Sequence, residues 1–310
     1  LTDQIGRVDF IEIDKTVNTK QLCAMLGDYA YIVTGPTPIY SHDFFENCAN
    51  LEYIARFGIG YDNIDIKAAN GQGVLVSNIP AAVEKEDVAE LALTLLLSMA
   101  RKIGVSQNAV IQGEWSVERK RFLGTRIHGK TVGVIGFGNI GRTFARLLHC
   151  GFECELLVYD PYLDEEDIAK YGGIKVELKT LLIQSDIISL HMNLTEETKH
   201  IINEDTLKIM KKSAILLNSA RGQLVDEKAL YKALSHDRIG GYCADVTSDE
   251  PMSVNHELLS LGNVIITPHI GANTVECNFG MCSCFVNDLI RFNRGGVPLS
   301  VIGERIGDEH

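Results

Sequence analysis

Three ionisable side chains stand out because each directly follows a short apolar run. Arg221 follows "AILLNSA", Glu250 follows "GGYCADVTSD" and His269 follows "NVIITP". A histidine exchanges protons near neutral pH, a neighbouring carboxylate orients it, and an arginine can grip a substrate carboxylate. Singly, each has a structural explanation: a surface ion pair for Arg221, a solvated loop for Glu250, a helix cap for His269. Together they indicate acid/base chemistry on an anionic substrate.

The elements around these residues predict one parallel sheet. Short β-rich runs alternate with amphipathic stretches, which is typical of parallel α/β layers. Counting "AILLN" as the fourth strand of the order 3-2-1-4-5-6 places it beside the first strand, "TVGVI". Arg221, Glu250 and His269 then follow the carboxyl ends of neighbouring strands. We therefore expect them at one edge of the sheet.

The stretch "TVGVIGFGNIGRTFARLL" predicts a nucleotide site at the same edge. A strand leads into Gly136-x-Gly138-x-x-Gly141 and a helix follows. Gly136 allows the tight turn, Gly138 lets the backbone approach a pyrophosphate, and Gly141 permits close helix–strand packing. Asp160, 19 residues after Gly141, ends the next strand, where an acid binds the adenosine ribose. A carboxylate repels a 2′-phosphate and no arginine follows it, so the pattern favours NAD over NADP.

A dinucleotide beside these residues indicates hydride transfer. Reduction of a ketone by hydride needs a proton for the developing alkoxide, and His269 is suited to supply it. Glu250 would orient the imidazole, and Arg221 would bind a carboxylate and polarise the carbonyl next to it. The residues alone thus predict an oxidoreductase acting on a small carboxylate-bearing substrate.

The composition is that of a globular protein with room for two domains. The chain has 310 residues, 45% hydrophobic and 23% charged, with a net charge of −12. The charge argues against nucleic acid or an anionic membrane as a main partner. The start, "LTDQIGRVDFIEID", lacks the features of a signal peptide, and "LALTLLLSMA" is too short to span a bilayer. We expect a cytoplasmic protein.

Eight cysteines occur without a C-x-x-C pair, which suits a reducing compartment. Three of them lie in "CNFGMCSC" and raise the question of a metal cluster. No histidine or further cysteine pair completes a tetrahedral set, so a helix of small, soft residues is the favoured interpretation. We predict no metal.

Two zones separate along the chain. The first contains predicted strands "VDFIEI", "AYIV", "LEYIARF" and "GVLVSN" and then the long helix "EKEDVAELALTLLLSMARK". A basic, weakly periodic excursion opens the second zone, and a long final helix, from about 274 to 293, is predicted to return to the first domain. The predicted domains are 1–100 plus 290–310, and 101–289.

The motifs in order resemble the D-isomer-specific 2-hydroxyacid dehydrogenase family over nearly the whole chain. Its glycine fingerprint, N-x-[SA]-R-G, D-[VA]-x-x-x-E-P and P-H-[IL]-[GA] read here "GFGNIG", "NSARG", "DVTSDEP" and "PHIGA". The resemblance implies NAD-dependent interconversion of a D-2-hydroxy acid and its 2-keto acid, with Arg221 on the substrate and Glu250 and His269 as the acid/base pair. It also implies a Rossmann NAD-binding domain inserted in a flavodoxin-like substrate domain, and a homodimer joined through about 103–128.

The resemblance extends to further site residues. "ARFGIGYDNID" is similar to the family loop whose amides around Ile59 and Gly60 hold the substrate carboxylate. Asp245 is implied to contact the nicotinamide carboxamide. "LHMNLTEET" departs from the family because Asn193 replaces a common proline, so we expect a looser loop there. The remaining implied contacts are Asn139, Ile140, Tyr159, Pro161, His191, Thr198, Ala220 and Gly271 for the cofactor, and Arg56 and Asn78, with Arg221, for the substrate.

The substrate and two other functional classes stay open. Arg56 and "FLGTRIHGKTVGVIG" look most like phosphoglycerate dehydrogenase relatives, in a short form without a regulatory domain, and a cation there would suit a phosphate. A small unphosphorylated acid such as glyoxylate or hydroxypyruvate fits equally well. The alternatives are an NAD-sensing binding protein of the corepressor type, and a formate or phosphite dehydrogenase on the same scaffold.

Overall fold

The chain folds into two compact units, each with its own sheet. The computed structural model describes residues 6–14, 16–115 and 118–303. One unit comprises the residues up to Val83 and those from Val275 onward, and the other is Glu84–Thr274. Among the described residues, no helix combines the length and apolarity needed to cross a membrane. The elements up to residue 111 are α1 (Thr19–Leu26), β1 (Tyr31–Thr34), α2 (His42–Asn47), β2 (Tyr53–Arg56), α3 (Ile66–Gly71), β3 (Leu75–Ser77), α4 (Ala81–Ala100) and α5 (Ile103–Ile111).

The later elements alternate strands with helices as the sequence predicts. A 3₁₀ turn, Arg119–Phe122, precedes them. They are β4 (Thr131–Ile135), α6 (Asn139–Phe152), β5 (Glu155–Tyr159), α7 (Glu165–Ala169), β6 (Gly173–Lys175), α8 (Leu178–Gln184), β7 (Ile187–Leu190), α9 (Glu204–Ile209), β8 (Ile215–Asn218), α10 (Glu227–Ser235), β9 (Gly241–Ala244), β10 (Val264–Ile266), α11 (Val275–Asn293) and β11 (Val301–Ile302).

The first unit has a four-stranded sheet in the order β1-β2-β3-β11. β1, β2 and β3 are parallel, and β11 is antiparallel to β3, pairing Val301 with Ser77. The predicted strand "VDFIEI" is wrong, because residues 6–14 form no strand. The segment is rich in β-branched and aromatic residues, but Phe10 is 98% exposed, and no described strand pairs with this backbone.

The second unit is a doubly wound layer around seven parallel strands in the order β10-β9-β8-β7-β4-β5-β6. The sequence count omitted the short strand β6, so "AILLN" is the fifth strand and not the fourth. β7 therefore lies beside β4, and β8 lies one strand further out. Arg221, Glu250 and His269 still follow neighbouring strands, because β8, β9 and β10 are adjacent and their carboxyl ends share one edge of the sheet.

The unit boundaries differ from those expected near residues 100 and 289. Ala89 and Leu96 of α4 share a core cluster with Val132 of β4, so most of this helix belongs to the second unit. Leu289 of α11 packs with Tyr53 of β2, so the whole final helix belongs to the first unit. The final helix thus packs on the first unit, and the boundaries fall after Val83 and after Thr274.

Candidate active site

The glycine-rich turn joins β4 to α6. Gly136 has a φ of 86°, and a Cβ there would lie 2.8 Å from the His191 carbonyl oxygen. A Cβ at Gly141 would overlap the Gly136 carbonyl oxygen, so neither position admits a side chain. Gly138, the N-cap of α6, has no atom within 4 Å of its Cβ position. The backbone at this helix N-terminus is therefore open to an anionic ligand.

Asp160 follows β5 beside the glycine turn. Its Oδ2 accepts the Phe137 N–H at 2.8 Å, and its Oδ1 accepts the Tyr162 N–H at 3.0 Å. The Tyr159 carbonyl accepts the Gly136 N–H at 2.9 Å. The open helix end and the acid beside it fit an adenine dinucleotide. The other predicted contacts here are Asn139 and Ile140, in the first turn of α6, and Pro161, next to Asp160.

His191 follows β7 and forms a wall of the glycine turn. Its Nε2 lies 2.8 Å from Ser189 Oγ, and its ring centroid lies 5.2 Å from that of Phe144. Burial lowers the pKa of His191 to about 3. The imidazole is therefore neutral at physiological pH and adds no charge to the nucleotide site.

The loop after His191 is closed by threonine side chains. Thr198 Oγ1 donates to the Asn193 carbonyl at 2.8 Å and accepts the Thr195 N–H at 2.7 Å. Thr195 Oγ1 accepts the Thr198 N–H at 3.3 Å. The loop has these bonds with asparagine at position 193, and its expected looseness stays a prediction.

His269 lies in a turn that a buried carboxylate holds. Asp245, 2% exposed, follows β9. Its oxygens accept from Thr267 Oγ1 at 2.5 Å, the Ile270 N–H at 2.9 Å and the Gly271 N–H at 2.7 Å. These bonds bracket His269, whose φ of 56° is left-handed and persists in a non-glycine residue only where neighbours hold it. Asp245 thus positions His269. The sequence implied only a nicotinamide contact for Asp245 and did not predict this positioning role.

His269 and Glu250 form a short hydrogen-bonded pair. His269 Nδ1 lies 2.7 Å from Glu250 Oε2, and the two side chains are 50% and 40% exposed. Glu250 Oε1 accepts the Thr247 N–H at 3.2 Å. With Nδ1 turned toward the carboxylate, Nε2 is the nitrogen left to exchange a proton with a ligand.

The pair favours a protonated imidazole and an ionised carboxylate. The hydrogen bond that His269 donates to Glu250 raises the pKa of His269, burial lowers it, the charges of Glu250 and Asp245 raise it, and the charge of Arg221 lowers it. The net pKa lies above the ordinary value. Burial raises the pKa of Glu250, but the hydrogen bond and charge of His269, the Thr247 N–H and Arg221 outweigh this and leave it lowered.

Arg221 is presented by a turn that a buried amide holds. Asn218, 1% exposed, accepts the Ala220 N–H at 3.1 Å and donates to the Arg221 carbonyl at 2.8 Å. Arg221 Nη1 donates to the Ala220 carbonyl at 2.7 Å. The charge of Arg221 acts on both His269 and Glu250. The three residues singled out from the sequence are therefore brought together.

Gly222 sets the spacing between two of the loops. A Cβ on Gly222 would overlap the Thr247 carbonyl group and the Ser248 nitrogen. The turn that presents Arg221 therefore packs directly against the loop that carries Glu250. The sequence contained Gly222 in "NSARG" but did not indicate this contact.

The predicted substrate loop follows β2 in the first unit. Arg56 Nη1 donates to the Phe57 carbonyl, and its guanidinium occupies the space that a Gly58 Cβ would need. Gly58 has a φ of 123°, which suits glycine. Asn78 Nδ2 donates to the Ile59 carbonyl at 2.6 Å. These contacts hold the backbone leading to Gly60, the other predicted loop contact.

Comparisons with known proteins show which family the chain resembles in sequence. Residues 93–271 match the sequence model of the D-isomer specific 2-hydroxyacid dehydrogenase NAD binding domain. The glyoxylate reductase of Thermococcus litoralis is 39% identical over 280 residues, which cover 89% of this chain and 84% of that protein. The D-3-phosphoglycerate dehydrogenase of Methanocaldococcus jannaschii is 36% identical over 304 residues, which cover 97% of this chain but 56% of that protein.

A solved structure shares the fold. The D-lactate dehydrogenase from Aquifex aeolicus, complexed with NAD and lactic acid, superposes with a TM-score of 0.83 at 28% identity, covering 94% of this chain and 90% of that chain. Site geometry, the matched NAD-binding domain and full-length similarity thus lead to the same answer. The chain belongs to the D-isomer-specific 2-hydroxyacid dehydrogenase family and is an NAD-dependent oxidoreductase of 2-hydroxy acids.

Proposed function

We propose that this enzyme reduces a short, unphosphorylated 2-keto acid, with glyoxylate as the preferred substrate. The observation that carries the chemistry is the 2.7 Å pair of His269 Nδ1 and Glu250 Oε2 beside Arg221. NAD in its reduced form supplies the hydride when bound. The chain itself has to bind the keto acid, orient its carbonyl and deliver a proton.

The proposed roles follow from the groups present. Arg221 binds the substrate carboxylate and polarises the adjacent carbonyl. His269 holds a proton at Nε2 for the carbonyl oxygen, and Glu250 keeps the imidazole protonated and oriented through Nδ1. In the reverse direction His269 receives the hydroxyl proton. Amides around Ile59 and Gly60 are proposed to bind the carboxylate as well.

The contacts of the Arg56 guanidinium favour an unphosphorylated substrate. Its guanidinium donates to the Phe57 carbonyl and lies against Gly58, within its own loop. Engaged in this way, Arg56 supports its own loop, and this is the role we propose for it in place of phosphate binding. The Thermococcus relative, which matches over 84% of its own length, is named a glyoxylate reductase, in line with this choice.

NADH consumption with a panel of keto acids tests the proposal. Glyoxylate and hydroxypyruvate should be reduced with a higher kcat/KM than phosphohydroxypyruvate. His269→Gln should lower kcat by about 10²- to 10⁴-fold, the contribution of a general acid, and leave the Kd of NADH nearly unchanged. A preference for phosphohydroxypyruvate would overturn the substrate, and tight NADH binding without turnover of any keto acid would overturn the activity in favour of a sensing protein.

We further propose that the enzyme is a homodimer joined through about 103–128. Six large apolar side chains there face solvent, with exposed fractions from 42% to 78%: Ile103, Val105, Val110, Ile111, Trp115 and Leu123. Ser116 and Val117, within this segment, lie outside the described residues. Such a concentration on one segment supports a buried partner surface. Light scattering should give twice the chain mass, and Ile111→Asp should reduce it to one chain mass.

The eight cysteines support a reducing compartment, for which we propose the cytoplasm. All of them are free thiols, and Cys48, Cys154, Cys243 and Cys277 are buried. Burial raises the pKa of the Cys154 thiol, which keeps it protonated and inert. Alkylation of the folded protein without reductant should therefore modify the exposed Cys150 and Cys282 and spare the four buried thiols, and alkylation after unfolding should modify all eight.

A further inference from the structure

We propose that Glu227 is a positioning residue that clamps both ends of the loop carrying Glu250. Glu227 is the first residue of α10 and is only 13% exposed at its side chain. It contacts Ser248 and His256, not His269 or Glu250, and belongs to none of the motifs quoted above. The inference rests on the proposed function for its kinetic readout.

The two oxygens of Glu227 reach the two ends of one loop. Oε1 accepts the Ser248 N–H at 2.9 Å, two residues before Glu250. Oε2 lies 3.3 Å from His256 Nε2, after Pro251 and the residues that follow it. One carboxylate thus bridges the start and the end of the segment 248–256.

The His256 ring presents its hydrogen toward Glu227. His256 Nδ1 accepts the Leu258 N–H at 3.3 Å, so the ring hydrogen of the neutral imidazole lies on Nε2, the nitrogen 3.3 Å from Glu227 Oε2. Leu258 is buried and anchors this end of the loop in the core of the unit. The clamp therefore ties Ser248 to a fixed point.

The clamped peptide is also where the two catalytic loops meet. Gly222 packs against the backbone of Thr247 and Ser248, and Thr247 donates its N–H to Glu250 Oε1 at 3.2 Å. A shift of the Ser248 peptide would therefore move Glu250 relative to both His269 and Arg221. Losing the clamp should lengthen the Glu250–His269 contact without removing any group that touches a substrate.

Position within a helix supplies a matched control. Glu204 is the first residue of α9, as Glu227 is of α10, and each follows an N-cap residue whose side chain caps its helix. Glu204 pairs only on the surface with Lys208, at 2.7 Å with both side chains more than half exposed. Glu204→Ala removes a helix-initial carboxylate without touching an active-site loop.

The kinetic test compares Glu227→Ala, Glu227→Gln and Glu204→Ala in the full chain. Glu227→Ala should lower kcat for glyoxylate by about 10- to 100-fold, as expected for a small misplacement, with the Kd of NADH within twofold of the wild type. Glu227→Gln keeps an oxygen for the Ser248 N–H but turns its N–H₂ group toward His256 Nε2, so it should restore only part of that loss. Glu204→Ala should leave kcat unchanged. A Glu227→Ala kcat within twofold of the wild type would overturn the proposal.

A second readout does not depend on turnover. NMR titration of the imidazoles, with His269 assigned by its absence in His269→Gln, reports the pKa of His269, which faces Glu250, Asp245 and Arg221. Glu227→Ala should lower this pKa because Glu250 moves away, whereas a purely structural role would leave it unchanged. An unchanged pKa of His269 would overturn the proposed clamp. Inactivity of the wild type toward keto acids would overturn only the proposed function.

Discussion

The turn that carries His269 and the loop that follows β2 are both held by one charged side chain, but of opposite sign. In the second unit, the Asp245 carboxylate accepts three hydrogen bonds from the residues around His269. In the first unit, the Arg56 guanidinium donates into its own loop and fills the space beside Gly58. Asp245 is thus an anion near a proton donor, and Arg56 is a cation near a proposed carboxylate-binding loop.

The sign of each charge suits the proposed role of the segment that it holds. A negative charge near His269 raises the pKa of the imidazole and keeps its proton available. A positive charge near the loop of residues 57–60 favours an anion there. Each anchor can therefore be expected to shape the backbone and also to set the local potential, and the two contributions can be separated by substitution.

The largest expected effect comes from Asp245→Asn. The amide would turn an N–H₂ group toward a backbone N–H that needs an acceptor, so the His269 turn should shift and kcat should fall by about 10²-fold. Asp288→Asn is the matched control, because Asp288 is equally buried but accepts the Leu299 N–H in the first unit. Steady-state kinetics on both variants check this. Equal losses would mean that any buried aspartate is needed for folding and would break the comparison.

The second prediction distinguishes Glu250, the hydrogen-bond partner of His269, from Asp245, which holds the His269 turn. Reduction needs the protonated imidazole, so kcat/KM should be full at low pH and fall as the pH rises through the raised pKa of His269. Glu250→Gln removes the largest cause of that raise and should move the falling limb to lower pH, with kcat down by about 30-fold. The pH profile of kcat/KM measures both. A limb that stays in place would assign the raised pKa to Asp245 instead.

Arg56→Gln should have a smaller effect, confined to substrate binding. The glutamine loses the charge and cannot fill the same space, so KM for glyoxylate should rise by about tenfold with kcat little changed. Arg7→Gln serves as the control, since Arg7 pairs with Asp9 at the surface, with its side chain 85% exposed. A fall in kcat with unchanged KM would contradict the role of Arg56 as a cationic support.

The smallest effect concerns the cofactor end of the second unit. Asp160→Ala should weaken NAD binding several-fold and reduce the preference for NAD over NADP, because the 2′-phosphate no longer meets a carboxylate. The ratio of kcat/KM for the two reduced cofactors measures this. An unchanged ratio would leave Asp160 as a cap for the Phe137 and Tyr162 N–H groups alone.

Much of the fold was predictable because it depends on local patterns. The glycine turn, the acid after β5 and the three residues after β8, β9 and β10 lie where strand endings in the sequence placed them. Errors arose where the pattern was short or had no partner. β6 has three residues and was missed, and residues 8–13 are rich in strand-forming residues although no described strand pairs with them.

Residue types by themselves determined which chemistry is present: a histidine, a carboxylate and an arginine after parallel strands, and a glycine turn for a dinucleotide. Only the tertiary structure decided which groups hold them. Asp245 and Glu227 act through backbone N–H groups of loops distant in sequence, and Asn218 holds the turn that follows it. A sequence shows that such side chains exist, but their partners depend on how neighbouring strands bring separate loops together, because hydrogen bonds need contact distances that folding alone supplies.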